Sequence, residues 1–317
     1  MTTPNTTSRN SDHNHEGHTP APKNPALADN THFEMTLPKA LVEPSYKKFV
    51  TQFAAQVKMP GFRAGKVPAA VAEKQLDQER LVTAVLRDVV PALLEEEFKK
   101  AGDKYQPISQ PSVQPDSTLQ GADWKITVSF AEPPIIKVTD YKKSVAKAVK
   151  DALLDIAEEK KTKEKNKKPA AVSMTADEEK EIKLRHIFKN LVTDVAPAIP
   201  ELLVREETQY RLENFARSLQ QFKMELQDYL KHRQTTLDQI IAEFQAEAIG
   251  SLQIEFILSE IGKVAAIKVT DAHKKAALAE ITDDKLKAHY ATDPSYQSRL
   301  ESTLLRRNII EHLLSLA

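Results

Sequence analysis

Trp124-Lys125-Ile126-Thr127-Val128-Ser129-Phe130 puts a large apolar side chain at every second position, with polar residues between. A period of two marks a strand with one buried face. Upstream, His32-Phe33-Glu34-Met35-Thr36-Leu37 alternates in the same way and stops at Pro38. Between these strands the spacing changes. Tyr46, Phe49, Val50, Phe53, Ala54 and Val57 recur three and four apart, which predicts a helix over 43–57 with Pro44 in its first turn. Leu81, Val82, Val85, Leu86, Val89, Leu93, Leu94 and Phe98 predict a second helix that bends or restarts at Pro91. Ile135-Ile136-Lys137-Val138 reads as an extension of the sheet. Strand, helix, loop, helix and strands make residues 31–143 a small α+β domain.

Beyond Tyr141 only helical spacing remains. Val145, Val149, Ala152, Leu153 and Ile156 predict a helix over 144–157. The charge run at 158–171 reads as a solvated linker or an exposed helix end. Further helices are predicted over 177–195, 200–231 and 236–263, with a start at Thr270-Asp271 and a final helix over 295–316. Residues 144–317 are therefore expected to be an all-α, multi-helix domain, and the chain to be mostly α overall. Residues 1–30 carry almost no large apolar side chains and are expected to form a disordered tail.

Composition narrows the function. The chain has 317 residues, 45 Lys+Arg against 45 Asp+Glu, no Cys and only 7 Gly. Zero net charge argues against a DNA-binding protein. Absence of Cys removes disulfides and thiolate chemistry and fits a reducing, cytoplasmic setting. No apolar run reaches the ~18 residues of a membrane span, so no membrane partner is expected. Neither a GxGxxG loop nor a Walker loop is present, and no cofactor is implied. His13, His15 and His18 lie in the tail without fixed geometry, and the other histidines are scattered over helices. No metal site and no catalytic residue are expected.

One stretch stands apart. No Asp or Glu occurs between Pro44 and Ala72, whereas Lys47, Lys48, Lys58, Arg63 and Lys66 do. They surround the loop Lys58-Met59-Pro60-Gly61-Phe62-Arg63-Ala64-Gly65-Lys66-Val67-Pro68. Phe62 and Arg63 on a tight loop suit a docking tip, the ring for apolar contact and the guanidinium for forked hydrogen bonds. An ordinary turn whose Phe folds back into the core fits the same residues equally well.

The string Gly61-Phe62-Arg63-Ala64-Gly65-Lys66-Val67-Pro68 resembles the GFRxGKxP ribosome-binding signature of bacterial trigger factors. Leu37-Pro38, Met59-Pro60 and Tyr141-Lys142 agree with its surroundings. In the second half, Ala198-Ile199-Pro200-Glu201-Leu202-Leu203-Val204 is similar to the start of a helix in that family's chaperone domain. The resemblance runs over residues 31–317. It implies a ribosome-binding N-terminal domain whose docking residues are Gly61, Phe62, Arg63, Ala64, Gly65 and Lys66. It further implies a helical cradle for unfolded nascent polypeptides, with exit-tunnel proteins and RNA of the ribosome as partners. Ala64 departs from a common basic residue and weakens the electrostatic part of docking.

A larger departure lies between the halves. Full members of the family insert an FKBP-like prolyl isomerase domain, on the order of 100 residues. Ser144–Asp177 contains no Gly and no aromatic residue, and no Gly occurs between Gly121 and Gly250. A strand-rich half-barrel with an aromatic pocket cannot be built from that composition. The isomerase domain is expected to be missing, and the protein not to be an enzyme. The alternatives are a free-standing holdase or assembly chaperone, and a peptidyl-prolyl isomerase by family descent.

Overall fold

The computed structural model describes residues 24–56, 69–165, 174–279 and 281–316. Three strands form an antiparallel sheet: β2 (Thr31–Leu37), β3 (Ser112–Ser117) and β4 (Trp124–Phe130), in the order β2-β4-β3. The register sets Phe33 opposite Val128, Met35 opposite Ile126 and Leu37 opposite Trp124. The two alternating patterns therefore coincide on one face, and that face is the core. Phe33, Phe98, Tyr105 and Phe130 close its far end as an aromatic cluster, with Phe33 stacked on Tyr105 at 5.6 Å and Phe98 edge-on to Phe130 at 5.5 Å. Edge-on and offset rings bring the positive rim of one ring to the negative face of another.

Two helices cover this face. α1 (Lys39–Ala54) starts immediately after Pro38, whose carbonyl accepts from the Leu41 and Val42 amides, while the Lys39 amide donates to Asp123 Oδ1 at 2.7 Å. This capping moves the helix start ahead of the expected one, so Pro44 sits inside α1 rather than in its first turn. After α2 (Ala69–Ala72) and a 3-10 turn (Glu73–Gln75), α3 (Gln78–Ala101) is capped by the Asp77 carboxylate, which accepts from the Glu79 and Arg80 amides. The expected restart at Pro91 does not occur. α3 runs through it, with Pro91 on the exposed side where water can reach the carbonyl that loses its donor.

Two further expectations fail here. Ile135–Val138 is not a strand: Pro133 and Pro134 supply no amide donors beyond β4, and Ile135 is 91% exposed. Val138 instead turns into a second core. Residues 24–30, read as part of a disordered tail, carry β1 (Leu27–Ala28), which pairs in parallel with β5 (Ile199–Pro200). The Ile199 amide donates to the Ala26 carbonyl at 2.9 Å and the Leu202 amide to Asn30 Oδ1 at 2.9 Å. Backbone pairing and the packing of Leu27 near Ile199 and Val204 hold a segment whose composition alone gives little to bury.

The second core is helical. α4 (Tyr141–Lys165) and α5 (Ala176–Val195) form an antiparallel hairpin, tied by His186 to Asp155 at 2.8 Å and by Lys160 to Glu179 at 2.6 Å. Thr175 and Glu178 close a reciprocal cap at the start of α5. The charge run thus continues α4 as far as Lys165, exposed from Glu158 to Thr162. Val145 and Val149 of α4 and Ile187 and Leu191 of α5 meet α8 (Leu237–Val264) and α11 (Pro294–Ser315). At Gly262 an added Cβ would lie 2.8 Å from Ile309 Cδ1, so the missing side chain lets α8 and α11 approach.

Two arms extend from this body. One is α6 (Glu201–Gln221), α7 (Leu226–Arg233) and the first half of α8; the other is α9 (Asp271–Ala279) and α10 (Asp284–Thr292), leading into α11. The single helix expected over 200–231 is two. Lys223 adopts a left-handed φ of 52° and the Met224 amide closes on the Leu219 carbonyl at 2.9 Å. No Gly or Pro announces that turn.

Candidate functional site

Gly61, Phe62, Arg63, Ala64, Gly65 and Lys66 lie outside the described residues. The two ends that hold the segment are described. Ser45 and Lys48 of α1 meet Asp88 of α3, and Phe53 of α1 meets Arg80, so the two helices run antiparallel. The segment therefore leaves the end of α1 beside the start of α3. Arg80 lies over the Phe53 ring at 5.0 Å, and the Tyr46 hydroxyl donates to Glu73 at 2.9 Å, fixing the 3-10 turn to α1. Burial, then the bond to Glu73, pushes the Tyr46 hydroxyl up to about 12.

The charge of this region is less than its count of lysines suggests. Lys48 pairs with Asp88 at 2.9 Å and Lys47 with Glu43 at 3.7 Å. Hydrogen bonds from Ser45 and then Lys48 hold the Asp88 carboxyl below the usual carboxylate range. Residues 44–72 contain no acid themselves. Folding brings an acid from α3 and another from the first half of α1 to the same lysines.

Two apolar clefts are open elsewhere. One, of about 1080 Å³, lies between α3 and the edge strand β3, floored by Val82, Leu86, Val90, Leu94 and Phe98 at four-residue intervals. Pro115 and an irregular register at Pro115/Ser117 keep β3 from pairing with a further strand along its whole length, so the cleft offers side chains rather than backbone. The other, of about 640 Å³, lies at the tip of the first arm among Phe215, Leu219, Met224, Leu226 and Leu237. Phe215 is braced edge-on by Tyr229 at 4.9 Å and Phe244 at 5.6 Å. Beside the cleft Phe222 is 78% exposed and Tyr210 is exposed as well. Arg211 joins α6 to α8 below it through Glu247 at 3.2 Å and Ser251 at 2.9 Å. Neither cleft was foreseen as a set of residues; the i, i+4 row on α3 was the readable signal for the first.

This chemistry suits reversible cover of apolar chain segments. Broad apolar floors with few fixed polar groups select weakly among sequences. Among the described residues no group of three or more His, Asp or Glu is placed to hold a metal ion. No helix among them is long and apolar enough to cross a membrane.

Residues 25–167 match the family described as bacterial trigger factor protein, and residues 160–315 match its C-terminal counterpart. A trigger factor from Limosilactobacillus fermentum is 34% identical over 92 residues, 29% of this chain and 21% of that protein. One from Tolumonas auensis is 31% identical over 128 residues, 38% of this chain and 28% of that protein. These matches span about a quarter of the relatives' own length. A solved structure reported under "Promiscuous Substrate Recognition in Folding and Assembly Activities of the Trigger Factor Chaperone" aligns with TM-score 0.46 and 14% identity over 90% of this chain and 97% of its own. The N-terminal and C-terminal family matches overlap at residues 160–167, which begin in the last turns of α4, and leave no interval for an inserted domain. The chain belongs to the bacterial trigger factor family, in a form that joins the N- and C-terminal parts without the prolyl isomerase domain.

Proposed function

We propose that this protein is an ATP-independent cytoplasmic chaperone that docks at the ribosomal exit tunnel and covers nascent chains as they emerge. Residues 31–143 would form the ribosome-binding domain, with Gly61, Phe62, Arg63, Ala64, Gly65 and Lys66 as the docking tip. Residues 144–317 would form the chaperone domain, with residues 24–30 held to it through the pairing of Leu27–Ala28 with Ile199–Pro200. The observation that carries the reading is the exposed aromatic and aliphatic tip of the first arm, set on a family match that runs from residue 25 to 315. An arm tip with Phe222 presented to solvent and Met224 partly so favours transient apolar contact over self-burial. The protein would accelerate no proline isomerisation, because the part of the family that carries that activity is not in this chain.

Cosedimentation with ribosomes at low and high salt tests the docking. Recovery in the ribosome pellet that falls with salt supports it; no recovery at any salt refutes it. A specific observation favours a second reading, a holdase that works away from the ribosome. Lys47 and Lys48 already have acidic partners, and Ala64 stands where a basic residue is common, so less positive charge is left for RNA. Suppression of client aggregation without any ribosome pelleting would decide for that second reading.

A further inference from the structure

The core beneath the sheet and the cores of the helical body share no residue. Two extended straps join them. They leave the sheet side by side, with Thr31 opposite Phe130 and the Thr31 hydroxyl donating to Glu132. One strap runs through Pro133, Pro134 and Ile135 and is anchored in the helical core by Val138. The other, residues 24–30, carries β1 and lies on the foot of the first arm. Lifting β1 would therefore leave both large cores intact.

β1 is seated as a peptide ligand would be. Among the described residues its partner β5 pairs with no other strand. The Ile199 amide donates to the Ala26 carbonyl at 2.9 Å, and the Leu202 amide at the start of α6 donates to Asn30 Oδ1 at 2.9 Å. Leu27 lies half-buried against Ile199, Val204, Ala248 and Ile249, all of them buried. Its neighbours Ala26 and Ala28 are small. The seat thus asks for two acceptors on an extended chain and one leucine-sized side chain between small residues. Such recognition runs mostly through the main chain and selects weakly among sequences. A ladder of two residues is also too short to hold by itself, so this segment opens before either core does. Once it lifts, two amides lose their acceptors and a buried apolar cluster meets water, which favours refilling by any segment of the same kind.

We propose that the foot of the first arm, at Ile199–Pro200 and the start of α6, is a binding site for extended apolar peptide segments, occupied in cis by residues 24–30. The occupant is assigned by the segment already seated there. That emerging chains supply the competing segment rests on the chaperone reading above; the site itself does not.

The chain has no Cys. Ala28→Cys with Pro200→Cys, at register partners, therefore places a single disulfide that locks β1 in its seat. A fluorescein-labelled peptide with the sequence of residues 24–31 is titrated, by anisotropy, with three forms of the full chain. These are the parent, the oxidised lock, and a variant with Leu27→Asp and Asn30→Ala that weakens the strap and leaves the seat unchanged. A tethered segment outcompetes a free one, so the strap-weakened variant should bind the peptide about tenfold or more tighter than the parent. The oxidised lock should exclude the peptide, and reduction should restore binding, a recovery that a misfolded lock could not show. A second probe with Asp in place of its leucine should bind none of the forms. Equal affinity of the three forms, equal binding of both probes, or no binding to the strap-weakened variant overturns the proposal. Suppression of client aggregation by the parent is measured alongside; its absence would refute the chaperone reading and leave the order of peptide affinities to decide the site.

Discussion

Replacing Phe222 and Met224 with serine probes the arm tip most directly. Phe222 is 78% exposed, so the folded protein buries little through it, whereas Met224, 42% exposed, lines the cleft and is about half covered. A phenylalanine presents on the order of 150–250 Å², so the exposed ring leaves roughly 150 Å² available to a client. At about 25 cal/mol per Å² that is close to 4 kcal/mol if a client covered it fully. Ordering of the client and partial cover reduce the realised part to roughly 1–2 kcal/mol, about tenfold in apparent affinity. Loss of a mostly exposed side chain shifts stability by only about 0.5 kcal/mol, or about 1–2 °C in Tm for a chain of this size. The assay dilutes a chemically denatured client into buffer with increasing chaperone and follows light scattering. The concentration that halves aggregation should rise about tenfold for the double variant, and its Tm should stay put. Unchanged suppression would refute the arm tip as a client site. A fall in Tm of several degrees would show instead that these side chains belong to the fold.

Phe62→Ala with Arg63→Ala should abolish ribosome pelleting at unchanged Tm, a loss of about 4 kcal/mol if two interface anchors add; retained pelleting would remove both residues from the docking tip. The purified protein should leave a proline-limited refolding reaction at its spontaneous rate, and acceleration that survives removal of contaminating isomerases would contradict this. Tyr46 loses its proton near pH 10 when unfolded but only near 12 when folded, so its contribution is intact below pH 10 and is lost between 10 and 12. Tyr46→Phe should therefore flatten the decline in urea midpoint over that interval, and an identical decline would refute the Tyr46–Glu73 contact. A fragment starting at residue 144 removes Val138 and Tyr141 from the second core and should be less stable than one starting at 131, by about 1.5–3 kcal/mol for each side chain. Equal denaturation midpoints would show that the helical body does not need them.

The local periodicities of this sequence dictate most of its elements. Trp124, Ile126, Val128 and Phe130 alternate because one sheet face is dry, and the register with Phe33, Met35 and Leu37 follows from that same face. Val145, Val149, Ala152 and Ile156 mark the inner side of α4 for the same reason. Absence of glycine and aromatic residues over Ser144–Asp177 determines that no half-barrel intervenes between the two halves, and Gly61–Pro68 carries the family signature as a contiguous string.

Contacts between distant segments were not legible. The break between α6 and α7 depends on Lys223 taking a left-handed conformation that its sequence neighbours do not demand, so apolar spacing ran straight through it. The place of Leu27 depends on the edge offered by Ile199 and Pro200, more than 170 positions away, because a two-residue strand has no pattern of its own. The electrostatics around residues 44–72 likewise changed on folding: Asp88 on α3 is invisible to a count along that stretch, yet at 2.9 Å it pairs with Lys48. Periodicity is set by which face of each element must leave water, and that is written locally. Which charges meet, which leucines stay exposed and where an arm turns are set by distances between segments, and only the tertiary structure supplies those.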